Sequence, residues 1–124
     1  MKRITVFALL ALLAACSKKE SAGVTASQAV ITPQAQEMFT MRCVPCHGAT
    51  GHGDGPGAAA LQPKPRNYTD ATWQKGITDD QIKKTILYGG AAVGKSPLMP
   101  ANPDLDGKPE LDGLVGIVRS FNGK

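Results

Sequence analysis

The segment Cys43-Val44-Pro45-Cys46-His47 constrains this chain more than any other. Two thiols three positions apart, followed at once by an imidazole, are the arrangement that attaches a c-type haem. The spacing has a chemical reason. On one helical turn both sulfurs reach the two vinyl groups of a single porphyrin, while the next side chain points at the iron. Cys43 and Cys46 therefore read as the thioether donors of one covalently bound haem c, and His47 as its proximal iron ligand. Two rival readings are weaker. A thioredoxin-like couple wants a βαβ pattern around it, and no alternating β-branched strand precedes Cys43. A zinc site drawing on Cys43, Cys46, His47 and His52 lacks the second separated ligand pair that structural zinc uses.

The chain has 3 cysteines, and the odd one ends the run Leu13-Ala14-Ala15-Cys16. A basic start, Met1-Lys2-Arg3, and an apolar stretch from Ile4 to Ala15 precede it. That stretch is well short of the roughly 20 apolar residues a spanning helix needs, so it reads as an export signal. The run resembles a bacterial lipoprotein signal, and the resemblance implies cleavage before Cys16 and lipidation of its thiol. The alternative is an ordinary secretory signal with Cys16 buried or oxidised. Three parts follow: residues 1–15 as lipoprotein signal peptide, 16–32 as lipidated flexible tether, and 33–124 as one globular domain. The expected location is the periplasmic side, held to a membrane by the lipid, inner or outer left open. Residues 17–32 are small and polar, and such a leash has an r.m.s. span of about 20–25 Å.

A domain of this size buries only about 60–65% of its unfolded surface and is marginal alone, so a large apolar cofactor is expected to form much of the core. The formal net charge of +4 falls towards neutrality once Lys2 and Arg3 leave and two propionates are added. With no basic stripe carrying interleaved aromatics, nucleic acid is excluded as a partner.

Three helices are predicted, and no segment carries a sustained strand signal. The first has Thr32 as N-cap and Pro33 at its first position, and runs through Ala35, Met38, Phe39 and Arg42 into the haem motif. The second opens on the capping box Thr78-Asp79-Asp80-Gln81, shows Ile82, Thr85 and Ile86 on one face, and stops at Gly89-Gly90. The third starts near Pro109-Glu110 and carries the apolar stripe Leu111, Leu114, Val115, Val118, Phe121. Between His47 and Pro65, crowded glycines and prolines exclude regular structure and suit a loop along the haem edge.

With these motifs in place, the segment from about Pro33 to Phe121 resembles a small class I c-type cytochrome. The resemblance implies an all-α fold, three main helices wrapped around one covalently attached haem with long Gly/Pro-rich loops. It also implies a close crossing of the terminal helices, here Ala35 and Phe39 against Leu114 and Ile117. Gly116, in a helix interior where glycine costs about 1 kcal/mol relative to alanine, is a candidate for close approach. The family fixes its ligating histidine through a proline carbonyl, which points to Pro56, with Pro63 as the alternative. For the sixth iron ligand, Met38 and Met41 read as core packing before the motif, and His52 as a solvated loop residue too near His47 in sequence. Met99, bracketed by prolines in Ser96-Pro97-Leu98-Met99-Pro100, matches the family's distal methionine. Arg66, Tyr68 and Trp73 are candidates for bonding the propionates, each with a plain surface or core alternative.

A thioether ligand stabilises ferrous iron and closes the coordination site, so the expectation is single-electron transfer rather than enzymatic turnover. Expected partners are a redox donor and acceptor and, through the lipid, a membrane, with the protein itself a monomer. Lys64, Lys75, Lys83, Lys84 and Lys95 are a candidate docking rim. A subunit of a larger respiratory complex, a haem peroxidase, a ligand-sensing haem protein, and a haem-free thiol or metal-binding lipoprotein remain as alternatives.

Overall fold

A computed structural model describes residues 29–124, so the expected signal, Cys16 and most of the tether lie outside the described residues. The described chain is helical, with no strand. Helix α1 spans Pro33–Arg42. Thr32 holds an extended backbone before it, and its Oγ1 accepts from the Ala35 amide at 3.1 Å. Such a cap contributes about 1 kcal/mol, and Pro33 lacks only an amide hydrogen that has no partner in a first turn. The Cys43 amide closes the helix on the Phe39 carbonyl at 2.9 Å, and the short helix α2, Val44–His47, follows directly.

Helix α3, Ala71–Gly76, is an addition to the three helices expected from periodicity. It is too short to show an apolar stripe, and its mark is local: the Asp70 carboxylate accepts from the amides of Thr72 and Trp73. Helix α4, Asp79–Ala92, starts on the expected capping box, with both reciprocal hydrogen bonds between Thr78 and Gln81 in place. Its backbone leaves helical values at Gly89, where φ is 75°, so the glycine pair does break the helix and one more turn follows the kink. Helix α5, Pro109–Ser120, completes the set.

Helices α1 and α5 cross at the closest point of the core. A Cβ on Gly113 would lie 2.5 Å from the Ala35 Cβ, so a small residue on each helix is what allows contact. Gly116, the expected point of approach, faces instead the entering chain, where a Cβ would come within 2.8 Å of the Ala29 carbonyl. Around the crossing Phe39, Leu105, Leu114 and Val115 are fully enclosed, and Ile117 and Phe121 are buried beside them. Phe39 and Phe121 pack with ring centroids 5.8 Å apart. Met38 is half-buried against this cluster, but Met41 is 63% exposed and is not core. It lies on the outer side of α1, which apolar character alone does not reveal.

The segment around α3 is tied to α5 by polar groups. Arg119 donates to the Asp79 carboxylate, the Gln74 side chain and the carbonyls of Gln74 and Ile77. Buried Gln74 in turn donates to the carbonyls of Tyr68 and Val118 at 2.7 and 2.8 Å. These bonds fasten the 68–79 stretch over the core. No described helix is long and apolar enough to cross a membrane.

Candidate functional site

The α1–α2 junction places Cys43, Cys46 and His47 on one turn, with the amides of Cys46 and His47 both donating to the Cys43 carbonyl. Both cysteines are free thiols and half-buried. Burial pushes the Cys43 thiol up to about 11, so it is protonated at neutral pH. His47 is buried, and burial holds its basicity below that of an ordinary imidazole, opposed by one backbone hydrogen bond.

That hydrogen bond corrects the expectation for Pro56. His47 Nδ1 donates to the carbonyl of Arg66 at 3.2 Å. The loop after the motif folds back on itself, with Gly53 donating to the His47 carbonyl and Gly55 to that of Cys46. Pro56, itself exposed, thereby opens a 3-10 turn, Pro56–Ala58, set against α2 with Ala58 buried, the one helical piece in a stretch expected to have none. The chain returns at Pro65–Arg66 beside Gly53, whose φ is 78° and whose missing Cβ leaves room for the Pro65 carbonyl. The Tyr68 amide then bonds the Gly51 carbonyl at 2.7 Å. Hence the residue that holds the imidazole follows a proline, and neither Pro56 nor Pro63 supplies the acceptor.

Tyr68 and Trp73 do come together with the histidine. The Tyr68 ring stacks on His47 at 4.4 Å between centroids, and Trp73 lies 5.7 Å from Tyr68. Burial, with Cys43 and Cys46 nearby, raises the Tyr68 phenol well above its usual range. The Arg66 guanidinium stands over the Trp73 ring at 5.7 Å and 3.8 Å from Asp70.

Met99 arrives from a separate loop and packs, half-buried, against the same apolar cluster as Cys43 and Trp73. Gly89 and Gly90 hold that loop. The Gly90 amide donates to the Met99 carbonyl at 3.0 Å, and a Cβ on Gly90 would collide with the Ser96 carbonyl. Asn102 secures the far end, its amide and side chain bonding the Ile86 carbonyl and its Oδ1 accepting from Arg42 at 3.3 Å. The glycine pair is legible in the sequence as a helix stop, but its second task, seating the methionine, is not.

His52 is exposed and bonds Thr50, and no cluster of three or more His, Cys, Asp or Glu side chains able to hold a metal occurs among the described residues. Of the expected lysine rim, Lys64 is engaged with the carbonyls of Ala58 and Ala59, and Lys83 pairs with Asp112. Lys75, Lys84 and Lys95 remain exposed.

The donor set fits a covalently attached haem. Two cysteine sulfurs outside any disulfide share one turn, and the imidazole has Nδ1 engaged, leaving Nε2 for a metal. A soft thioether stands on an ordered loop. Gly57 adds a cradle beside the thiols, since a Cβ there would lie 3.0 Å from the Pro45 carbonyl and 3.8 Å from Cys46 Sγ.

Comparison with known proteins gives the same answer. The Cytochrome c family model matches residues 34–113. Among solved structures, the chain is similar to the KustC0563 c-type cytochrome, 28% identical over 71% of this chain and 96% of that one, with a TM-score of 0.52.

Proposed function

Because the chain belongs to the cytochrome c family, we propose that it is a monohaem, lipid-anchored carrier of single electrons on the periplasmic side of a membrane, and not an enzyme. The family assignment carries one covalently bound haem c; Cys43 and Cys46 would hold it by thioethers, and His47 would ligate its iron. The haem supplies one-electron ferric/ferrous chemistry when bound.

The remaining roles belong to the protein. The Arg66 carbonyl keeps the Nδ1 proton in place, so Nε2 is the free nitrogen. The glycine clasp keeps the Met99 loop against the core, and the half-buried placement of Met99 on that loop is the observation that supports a closed, six-coordinate centre. A filled sixth position leaves no site for peroxide or a gas, which favours electron transfer over peroxidase or sensing chemistry. Arg66, the Tyr68 hydroxyl and Trp73 remain the candidates for holding the propionates. Lys75, Lys84 and Lys95 offer charge to an acidic redox partner, which would dock transiently. Cys16 is the candidate lipid attachment point, supported by the sequence around it.

The test is a pair of visible spectra of protein matured in a periplasm, oxidised and reduced, with carbon monoxide added to the reduced form. The expected result is a low-spin spectrum that carbon monoxide leaves unchanged on mixing. Rapid carbon monoxide binding would overturn the electron-carrier reading in favour of a sensor or peroxidase. Membrane anchoring is read separately, by whether Cys16→Ala moves the mature protein from the membrane to the soluble fraction.

A further inference from the structure

The hydrogen bond from His47 Nδ1 to the Arg66 carbonyl directs one edge of the imidazole. A carbonyl oxygen accepts over a broad range of directions, so this bond alone leaves the ring free to rock about the N–H···O line. A second constraint lies on the ring face. Tyr68 covers it at 4.4 Å, with the two planes 12° from parallel. The phenol ring is itself backed by Trp73 at 5.7 Å and Phe121 at 6.2 Å. Its backbone is gripped by Gln74, which is 5% exposed and which also bonds the Val118 carbonyl and accepts from Arg119. The imidazole therefore rests on a platform fixed to the C-terminal helix.

We propose that Tyr68 is a positioning residue for the axial imidazole: its ring face, held in place through Gln74, fixes the tilt of the His47 plane and so the direction in which Nε2 presents its lone pair. This rests on the reading of His47 as the iron ligand. An edge bond and a face contact together leave the ring one orientation, where either alone leaves a range. Groups behind a ligating histidine act by orienting it and tuning its donation. The orientation of an axial imidazole plane sets the splitting of the iron d orbitals, so ferric low-spin EPR reads it directly.

The experiment uses holoprotein. Tyr68→Phe keeps the face and is expected to retain the wild-type g values. Tyr68→Leu removes it and is expected to shift the largest g value and broaden it while the centre stays low-spin. A second measurement needs no variant: in the diamagnetic reduced protein, nuclear Overhauser contacts are expected between the ring protons of Tyr68 and those of His47. Unchanged g values and linewidth in Tyr68→Leu, or absence of those contacts, would overturn the proposal while leaving the electron-carrier reading intact. A wild-type ferric protein with no low-spin signal would overturn the ligand assignment itself.

Discussion

The two candidate iron ligands are held by different kinds of structure. On the His47 side, both thiols and the imidazole are neighbours in sequence on one turn, and a single carbonyl and a stacked ring complete the support. On the Met99 side, a loop far along the chain is seated by the Gly89–Gly90 break and by hydrogen bonds through Asn102. The first arrangement is local, so chain connectivity itself keeps its parts together. The second depends on a few contacts between distant segments, each of which can be lost without disturbing the first. Damage on the methionine side is therefore expected to change ligation while the cofactor stays attached. Damage on the histidine side is expected to remove the cofactor or its ligand field.

The largest effect tests the local half. The double variant Cys43→Ala/Cys46→Ala is expected to retain no covalently bound haem, measured as porphyrin remaining with the polypeptide after acid denaturation and extraction. Porphyrin that survives extraction would show that the turn is not the attachment point. The next effect is confined to the distant half. Met99→Ala is expected to keep covalent haem, to bind carbon monoxide in the reduced state, and to fall in potential by a sizeable part of the roughly 0.8 V over which axial ligands tune haems. An unchanged potential would remove Met99 from the ligand set.

The same contrast separates what is legible in the amino-acid sequence from what is not. Helices α1, α4 and α5 are legible because caps and an apolar stripe are short-range signals, and the haem turn because its chemistry lies within five neighbouring residues. Helix α3 is hidden by its length, its only signal being Asp70 placed before Thr72 and Trp73. The close approach falls at Gly113 and not at the expected Gly116 because both lie in α5, and nothing in the local sequence marks which of the two meets Ala35 and which meets the chain at Ala29. The expectation for Pro56 fails for a related reason. A backbone acceptor has no side-chain signature, and the return of the loop beside Gly53 decides which carbonyl reaches His47. Gln74 and Arg119 carry no signal, since a buried amide and a guanidinium acquire their partners only after distant segments meet.

A smaller effect sharpens the comparison by touching only the clasp. Gly90→Ala gains helix propensity of up to about 1 kcal/mol, but the added methyl group meets the Ser96 carbonyl and lies 3.3 Å from the Met99 Cβ. Overpacking of this kind costs about 1–3 kcal/mol. The net expectation is a lowered Tm and a partial gain of carbon monoxide binding, with covalent haem at the wild-type level. Carbon monoxide binding as low as in the wild type would mean that the loop seats its thioether without the glycine.

The smallest effect concerns a polar side chain that links the two halves. Arg42, next to Cys43, donates to Asn102 and to the Asp104 carboxylate at 3.0 Å, linking the haem turn to the end of the methionine loop. Hydrogen bonding to Arg42 holds the Asp104 carboxyl below its usual value. For a depressed carboxylate the stabilisation is present above the unfolded value, about 3.9, and is lost as pH falls through the lower folded value. Arg42→Ala is therefore expected to lower Tm slightly at neutral pH, with the difference from wild type shrinking in acid as Asp104 protonates and in high salt as the exposed pair is screened. The readout is Tm of the two proteins across pH and ionic strength. If Arg42→Ala also raises carbon monoxide binding as far as Gly90→Ala does, the two halves are coupled through α1 and the separation between them is weaker than their architecture implies. If Tm moves and carbon monoxide binding does not, the link only anchors the loop end, and seating of Met99 belongs to the glycine pair.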